Sequence, residues 1–456
     1  MTFQSQSKTT PPRLITRVAK LALPVAIQSA LVAILALADV LMVSDFGKEA
    51  TAAVGIASKW HFVAIMIMAG LSTANGILVS QYWGIKDASS AKTVTLQAIK
   101  LGIKIIVPVT LLITVLSPWI MQLQTGDATV IEYGSQYLWY GFPVLLLTHV
   151  IIVIESSMRS SSDAMTPLYL GAITIAINIG LNLWLIKGGV GIEAMGVAGA
   201  ALATTLSRFI QVMMMLGYIY MKRHWLLSAH KLDDGKKLYR SFKTLAVPNA
   251  CNSLLWAMGT LTYQMIFGHM GTTELAVYSM LGPFESLCYS VFFGVSVACS
   301  VLTGQTLGQE RFEQAIAMSK VFIRLVFGIG IVLGAFLLLQ REVLLEWLGL
   351  NAQEFYPMAL PAISILCCGI WLRMLNLIII NGILRAGGET SFCLRMDFIA
   401  MWVTGIPLAF FAAHIAGWSF TTVYLLLIAE EIVKFTLCFT RYLKLTWVRN
   451  LTLSHN

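Results

Sequence analysis

The sequence predicts an all-α, polytopic membrane protein with twelve transmembrane helices in two pseudo-symmetric lobes of six helices each. Of its 456 residues, 57% are hydrophobic and 12% are charged, whereas about a quarter of a soluble protein is charged. Apolar stretches of about 20 residues, the length that crosses a bilayer, recur along the whole chain. They begin near Leu21, Trp60, Ala98, Tyr133, Met165, Met195, Thr244, Leu275, Lys320, Tyr356, Leu394 and Trp418.

The two lobes are predicted from an internal repeat with a displacement of 224 residues. Matching positions are Pro24 with Pro248, Gly47 with Gly271, Gln81 with Gln305, Gly84 with Gly308 and Ala91 with Ala315. A later pair of segments matches at 226, with Arg159 facing Arg385. Parallel repeats in a membrane protein usually place two similar bundles around a central substrate path. We therefore expect an N-lobe at 1–220, a cytoplasmic linker at 221–243 and a C-lobe at 244–456.

The basic residues predict the orientation. If both termini are cytoplasmic, 24 of the 31 Lys and Arg residues fall on the inner side, four fall in outer loops and three lie within spans. This split follows the positive-inside rule, so the net charge of +9 does not indicate a nucleic-acid partner. We expect a multi-pass protein of the inner membrane. No cleavable leader pattern follows the polar first 20 residues, so the first span should be retained.

Asp39 is the strongest candidate site residue. It lies in a span that is otherwise nearly free of charge, and the repeat places Tyr263 at the matching position. Acids inside a membrane are costly and usually face a cavity. Burial disfavours the charged form of a carboxyl group, so Asp39 could load and release protons. The alternative is an acid at a helix end near the outer interface.

Four further candidates lie in the same half. Asn178 and Asn182 are four residues apart and share one helix face, where amides can serve either protonation state of a carboxyl. Thr204 could complete the pocket. Pro24 could act as a hinge, because a proline frees a backbone carbonyl. The alternatives are amides that join helices, a threonine in a packing face, and a first-turn proline.

In the second half, Arg373 lies inside the tenth span. Arg373 and Glu285 could both face a cavity, or they could pair as a structural tie. Glu431 and Lys434 are three residues apart and could neutralise each other. The seven cysteines lie in or beside spans without metal-like spacing, and we expect no metal site.

The chain resembles the multidrug and toxic compound extrusion (MATE) family of transporters. The resemblance rests on the order and spacing of motifs over nearly the whole chain. These are LP, QS, D and MVSDFG in Leu23 to Gly47, RSSSDAMTP in Arg159 to Pro167, GVAGAALAT in Gly196 to Thr204, and GQTLGQ in Gly304 to Gln309. It implies a V-shaped cavity between two six-helix lobes and antiport of organic cations, including drugs and dyes, against protons or sodium. We also expect a monomer that contacts only substrate and lipid.

Matched to the family, Asp39 is the acid of the first helix and Pro24 the proline at which that helix bends. The resemblance makes Asn178, Thr204 and Tyr137 polar partners of the acid. One branch carries an Asp where this chain has Asn182.

The branch named for norfloxacin resistance carries acids where this chain has Trp256 and Met374. The chain thus looks closer to the branch that couples through an N-lobe aspartate. Protons are the expected coupling ion, with sodium as the alternative and no cofactor beyond the ion. A lipid-linked oligosaccharide flippase is a further alternative. A membrane enzyme is not expected, because the adjacent acid pairs lack a catalytic motif.

Overall fold

The computed structural model describes residues 11–44, 46–189, 191, 193–229, 235–350 and 354–453. Within these residues every regular element is helical, so the all-α prediction is confirmed. The N-lobe helices are α1 (Pro11–Ser44), α2 (Lys48–Gly84), α3 (Ala88–Val115), α4 (Ser117–Gln122), α5 (Ala128–Tyr140), α6 (Phe142–Ser160), α7 (Met165–Lys187) and α8 (Gly196–Met221). The predicted fourth span is divided between α5 and α6.

After the short α9 (Trp225–Ser228), the C-lobe begins. Its helices are α10 (Lys236–Met270), α11 (Thr272–Gly308), α12 (Phe312–Leu339), α13 (Arg341–Trp347), α14 (Tyr356–Leu377), α15 (Thr390–Asp397), α16 (Ile406–Phe410) and α17 (Phe420–Leu443). Wider π-helical turns at Ile378–Leu384, Phe398–Gly405 and Phe411–Ile415 extend α14 and join α15 to α16, so the tenth and eleventh spans each contain π-helix.

Ten helical stretches of the described chain are long and apolar enough to cross a membrane. The other two predicted spans are α10, with 35 residues, and α17, with 24. They are equally long but more polar, and α17 carries Glu430, Glu431 and Lys434. α10 already begins within the predicted linker, and residues 230–234 lie outside the described chain.

The lobes meet along two helix pairs, α1 with α11 and α2 with α10. Glycines permit the close approach. Gly294 lies against the backbone of Ala22, and Gly70 against the backbone of Ala250. Small residues let membrane helices pack through dispersion forces, which replace the hydrophobic driving force that is missing between helices in lipid.

At the end of the bundle predicted to face the cytoplasm, α2 crosses α11 in a pseudo-symmetric contact. Gly84 lies against the backbone of Gln305, and Gly308 lies against the backbone of Gln81. A Cβ atom at either glycine would collide with the backbone of the other lobe. The matched glycines of the repeat therefore let the two lobes close on each other here.

Two glutamines fasten this crossing. Gln81 Nε2 donates to the carbonyl of Ala386 at 2.9 Å, and Gln305 Nε2 donates to the carbonyl of Ser160 at 2.9 Å. Each glutamine thus reaches into the opposite lobe. Gln81 Oε1 also accepts from the backbone N–H of Leu451 at 2.7 Å. The predicted cytoplasmic end is closed in this structure.

Candidate functional site

The Asp39 carboxylate lies on α1 and is partly buried. Its Oδ1 accepts a hydrogen bond from Asn182 Nδ2 on α7 at 2.6 Å. Asn182 Nδ2 also donates to Asn178 Oδ1 at 3.1 Å, and Asn178 Nδ2 donates to Ser207 Oγ on α8 at 3.0 Å. The acid is thus the first member of a polar chain that joins three helices of the N-lobe.

The neutral amides suit an acid that changes its charge. Asn182 uses both its donor hydrogens, while its buried Oδ1 has no hydrogen-bond partner among the described residues. An ionised carboxylate can only accept hydrogen bonds, whereas a protonated one also donates. Rotation of the Asn182 amide would turn this free acceptor toward Asp39 and give a protonated carboxyl a partner that the ionised form does not need.

Tyr137 and Thr204 are the two other predicted partners of Asp39, and the structure places them in different surroundings. Tyr137 on α5 packs with the small cluster around Val43 and Ile186, near enough for the Asp39 charge to act on its hydroxyl. The Thr204 hydroxyl donates to the carbonyl of Ala200 in its own helix at 3.1 Å. The structure therefore brings Tyr137 near the acid, but it turns the Thr204 hydroxyl back along α8.

Pro24 lies well inside α1, which begins at Pro11. The alternative of a first-turn proline is therefore wrong. α1 runs as one helix through Pro24, with one backbone donor missing at that point. The next turn carries Gln28, whose side chain is buried.

Glu155 on α6 is a second buried acid of the N-lobe, and the sequence argument did not include it. Its Oε1 accepts from Gln28 Nε2 at 3.0 Å and from Gln211 Nε2 at 3.4 Å. Its Oε2 pairs with Arg159 at 3.3 Å. Asp39 is therefore not the only acid among the buried polar groups of the N-lobe. The available signal was a lone glutamate in the apolar run VIIVIESS, obscured by the arginine four residues later.

The predicted pair of Arg373 and Glu285 is present in the C-lobe, and Arg373 Nε also lies 3.9 Å from Glu431 Oε1. Lys434 pairs mainly with Glu430, at 2.7 Å, and is 4.0 Å from Glu431. The expected Glu431–Lys434 pair is therefore the weaker contact. Glu430 also accepts a hydrogen bond from Tyr263, the residue that stands where the N-lobe has Asp39.

Asp397 is a further acid that sequence reasoning missed. It accepts from Asn252 Nδ2 at 2.6 Å and lies 3.8 Å from Lys434 Nζ. Lys434 offsets its charge, and the Asn252 amide satisfies one of its oxygens. In the part of the chain that the structure describes, no group of three or more His, Cys, Asp or Glu side chains is arranged to hold a metal ion.

The Lys434 cluster predicts a stability effect. Lys434→Ala should lower the free energy of unfolding by about 3–5 kcal/mol, because it leaves buried carboxylates without their cation. Thermal unfolding of the purified protein in detergent measures this effect. Lys320→Ala, which removes an exposed lysine, should leave the transition within about 1 kcal/mol of the wild type. Equal unfolding temperatures for both variants would show that the cluster does not stabilise the fold.

Comparison with known proteins places the chain in a family. The MatE family profile matches twice, over residues 24–184 and 248–411, once in each half. The probable multidrug resistance protein YoeA of Bacillus subtilis is 25% identical over 377 residues, which cover 81% of this chain and 80% of the relative. The probable multidrug resistance protein NorM of Thermotoga maritima is 22% identical over 443 residues, 97% of this chain and 95% of the relative.

Solved structures share the fold. One, described as the outward-facing conformation of a multidrug resistance MATE family transporter, superposes with a TM-score of 0.86 at 18% identity, covering 97% of this chain and 99% of that chain. The predicted two-lobe, twelve-helix architecture is thereby confirmed. Because the family profile covers most of both halves, the chain belongs to the MatE family, whose members are membrane transporters and not enzymes.

Proposed function

We propose that this protein is a multidrug efflux antiporter that exports organic, mostly cationic, amphiphilic compounds in exchange for protons. The observation that carries the proposal is Asp39, a partly buried acid in the C-terminal half of α1, held by Asn182 at 2.6 Å. The multidrug resistance names of two relatives that span most of the chain support the substrate class.

Exchange follows from the single charge of Asp39. When ionised, the carboxylate attracts a cationic substrate. When protonated, it is neutral and the cation loses its counter-charge, since an uncompensated charge in a low-dielectric site is strongly disfavoured. Proton and drug therefore exclude each other at one group, and the loading of one drives the release of the other.

The structure is closed at the predicted cytoplasmic end, where Gln81 and Gln305 join the lobes. We infer that Asp39, in the half of α1 nearer the opposite end, takes its proton from outside. Loss of its charge would weaken the tie to Asn182 on α7, and α1 can repack or bend at Pro24. Reopening at the cytoplasmic end would then release the proton inside.

Protons suit this site better than sodium. Sodium in transporters is usually coordinated by several oxygens, and Asp39 is the one carboxylate in the polar chain with Asn182, Asn178 and Ser207. A proton needs only the carboxylate and a partner for each charge state. We further propose that the protein works as a monomer in the inner membrane, with both termini cytoplasmic and no cofactor besides the coupling ion.

Drug-induced proton release tests the proposal. Purified protein in liposomes, given a fluorescent cationic dye, should release protons and move the dye along an imposed pH gradient equally well with and without sodium. Asp39→Asn protein is the control and should release none. If dye transport requires sodium, then sodium and not the proton is the coupling ion. Flipping of a labelled lipid in vesicles without dye transport would overturn the antiporter proposal.

A further inference from the structure

Arg208 on α8 follows Ser207, the last member of the polar chain that begins at Asp39. Its guanidinium donates to Gln211 Oε1 at 2.9 Å. Gln211 Nε2 in turn donates to Glu155 Oε1 on α6 at 3.4 Å, and Glu155 and Asp39 on α1 are close enough to interact electrostatically with Arg208. Among the described residues, the ion pairs within 4.0 Å do not include Arg208. The cation is thus near two acids and directly paired with neither.

The repeat places Lys434 of the C-lobe at the matching position, at the same displacement of 226 that relates Arg159 to Arg385. Lys434 forms a direct ion pair with Glu430 at 2.7 Å and lies 3.8 Å from Asp397. The lobe without the Asp39 carboxylate therefore holds its cation in a direct ion pair, whereas the described part of the lobe with it holds Arg208 through Gln211.

The surroundings of the two cations also match. Gln28 corresponds to Asn252 at 224, and each amide donates to a buried acid, Glu155 in the N-lobe and Asp397 in the C-lobe. The N-lobe counterpart of Asp397 is Gly171, and a Cβ atom there would lie 3.5 Å from Gln28 Nε2. Both lobes thus contain the same cluster of acid, amide and cation, with the acid on a different helix.

We propose that Arg208 is an internal counter-ion that alternates between Asp39 and Glu155. When Asp39 is ionised and empty, Arg208 pairs with it. When Asp39 binds a proton or a cationic drug, Arg208 turns to Glu155, whose other charged neighbour is Arg159. A buried carboxylate is then never left without a cation, which would be costly. This inference deepens the proposed function and rests on Asp39 being the coupling acid.

The proposal predicts opposite effects for the two partners of Asp39. Arg208→Gln removes the competitor for Asp39, so a cationic dye should bind about tenfold more tightly and the maximal transport rate should fall because release slows. Glu155→Gln removes the alternative partner of Arg208. The arginine then stays on Asp39, and the dye should bind about tenfold more weakly.

Dye dissociation constants of purified protein, with maximal transport rates in liposomes, measure both effects. Arg208→Lys should keep wild-type affinity within about threefold, since the charge remains. The double variant Arg208→Gln with Glu155→Gln should behave like Arg208→Gln alone. Lys222→Gln, an exposed residue after α8, is the control and should change neither quantity.

Weaker dye binding in both single variants, with a lower unfolding temperature, would show that Arg208 and Glu155 are a structural tie and would overturn the inference. If Glu155→Gln does not fold, a double variant that combines Glu155→Gln with Gly171→Asp restores an acid beside Gln28. This is the arrangement of Asp397 and Asn252 in the C-lobe. Affinity within threefold of the wild type then supports the inference, and tenfold weaker binding contradicts it. If neither protein folds, the dye affinity of Arg208→Gln tests the inference. Tighter binding than in the wild type supports it, and weaker binding contradicts it.

Asp39→Asn in the same assays separates the two proposals. If it transports normally, the proposed function fails, whatever the Arg208 variants do. If it releases no protons while Arg208→Gln and Glu155→Gln shift the dye affinity in the same direction, the proposed function stands and the counter-ion inference fails.

Discussion

Asp39→Asn is expected to lower drug extrusion by about hundredfold or more while leaving the fold intact. Asparagine has nearly the same shape and can still accept the hydrogen bond that Asn182 donates at 2.6 Å. It has neither the charge that attracts a cation nor an exchangeable carboxyl proton. Removing one partner of a buried charge pair costs ~3–5 kcal/mol, which corresponds to at least about a hundredfold change in an equilibrium constant.

Dye efflux from cells and proton release in liposomes measure this loss, and thermal unfolding reports on the fold. Glu132→Gln is a matched control, because it neutralises an exposed acid on α5 of the same lobe. It should export dye at the wild-type rate. An Asp39→Asn protein that exports as well as the control would remove Asp39 from the mechanism, and the antiporter would need another coupling group.

The sequence predicted the fold well because its signals are regional. Hydropathy averages over about 20 residues and the repeat over two hundred, so neither depends on one side chain. Helix ends were less predictable. α1 begins at Pro11, ahead of the apolar stretch at Leu21, because its polar first turns continue the helix beyond the membrane span. This extension is why Pro24 is an interior residue.

The candidate site was predictable where one residue contradicts its surroundings. Asp39 is a lone charge in an apolar span, and the spacing of Asn178 and Asn182 showed their common face. Glu155 was not predicted because Arg159 lies one turn away, and the two together resemble an ordinary ion pair at a helix end. Asp397 was not predicted because its partner Asn252 is 145 residues away in sequence. Such a contact depends on tertiary packing, which a local pattern does not contain.

Rotamers and helix type were not predictable either. The Thr204 hydroxyl donates to a carbonyl of its own helix at 3.1 Å. Residue type alone does not determine whether a threonine hydroxyl bonds the backbone of its helix or a neighbouring side chain. The π-helical turns of the C-lobe, such as Ile378–Leu384, have ordinary apolar sequences. They have no periodic signal of their own.

Gly84→Ala should shift the protein away from the state closed at the predicted cytoplasmic end and strongly reduce export. The added Cβ would collide with the backbone of Gln305, and overpacking of this kind costs about 1–3 kcal/mol, which lowers the equilibrium constant for closure by about 5- to 150-fold. Alanine favours an isolated helix over glycine by about 1 kcal/mol. A loss of export therefore cannot come from a weaker α2.

Spin labels on exposed Lys86 and Glu310, at the ends of α2 and α11, measure the closure as a distance in a background without the exposed cysteines. The labelled distance should lengthen in Gly84→Ala, and dye efflux should fall with it. Gly217→Ala is the matched control, since a Cβ there meets no atom within 4 Å. An unchanged distance with lost export would mean that the crossing is not a gate. Because Gly308 makes the same contact from the other lobe, Gly308→Ala should repeat the result, as the pseudo-symmetry of the closure requires.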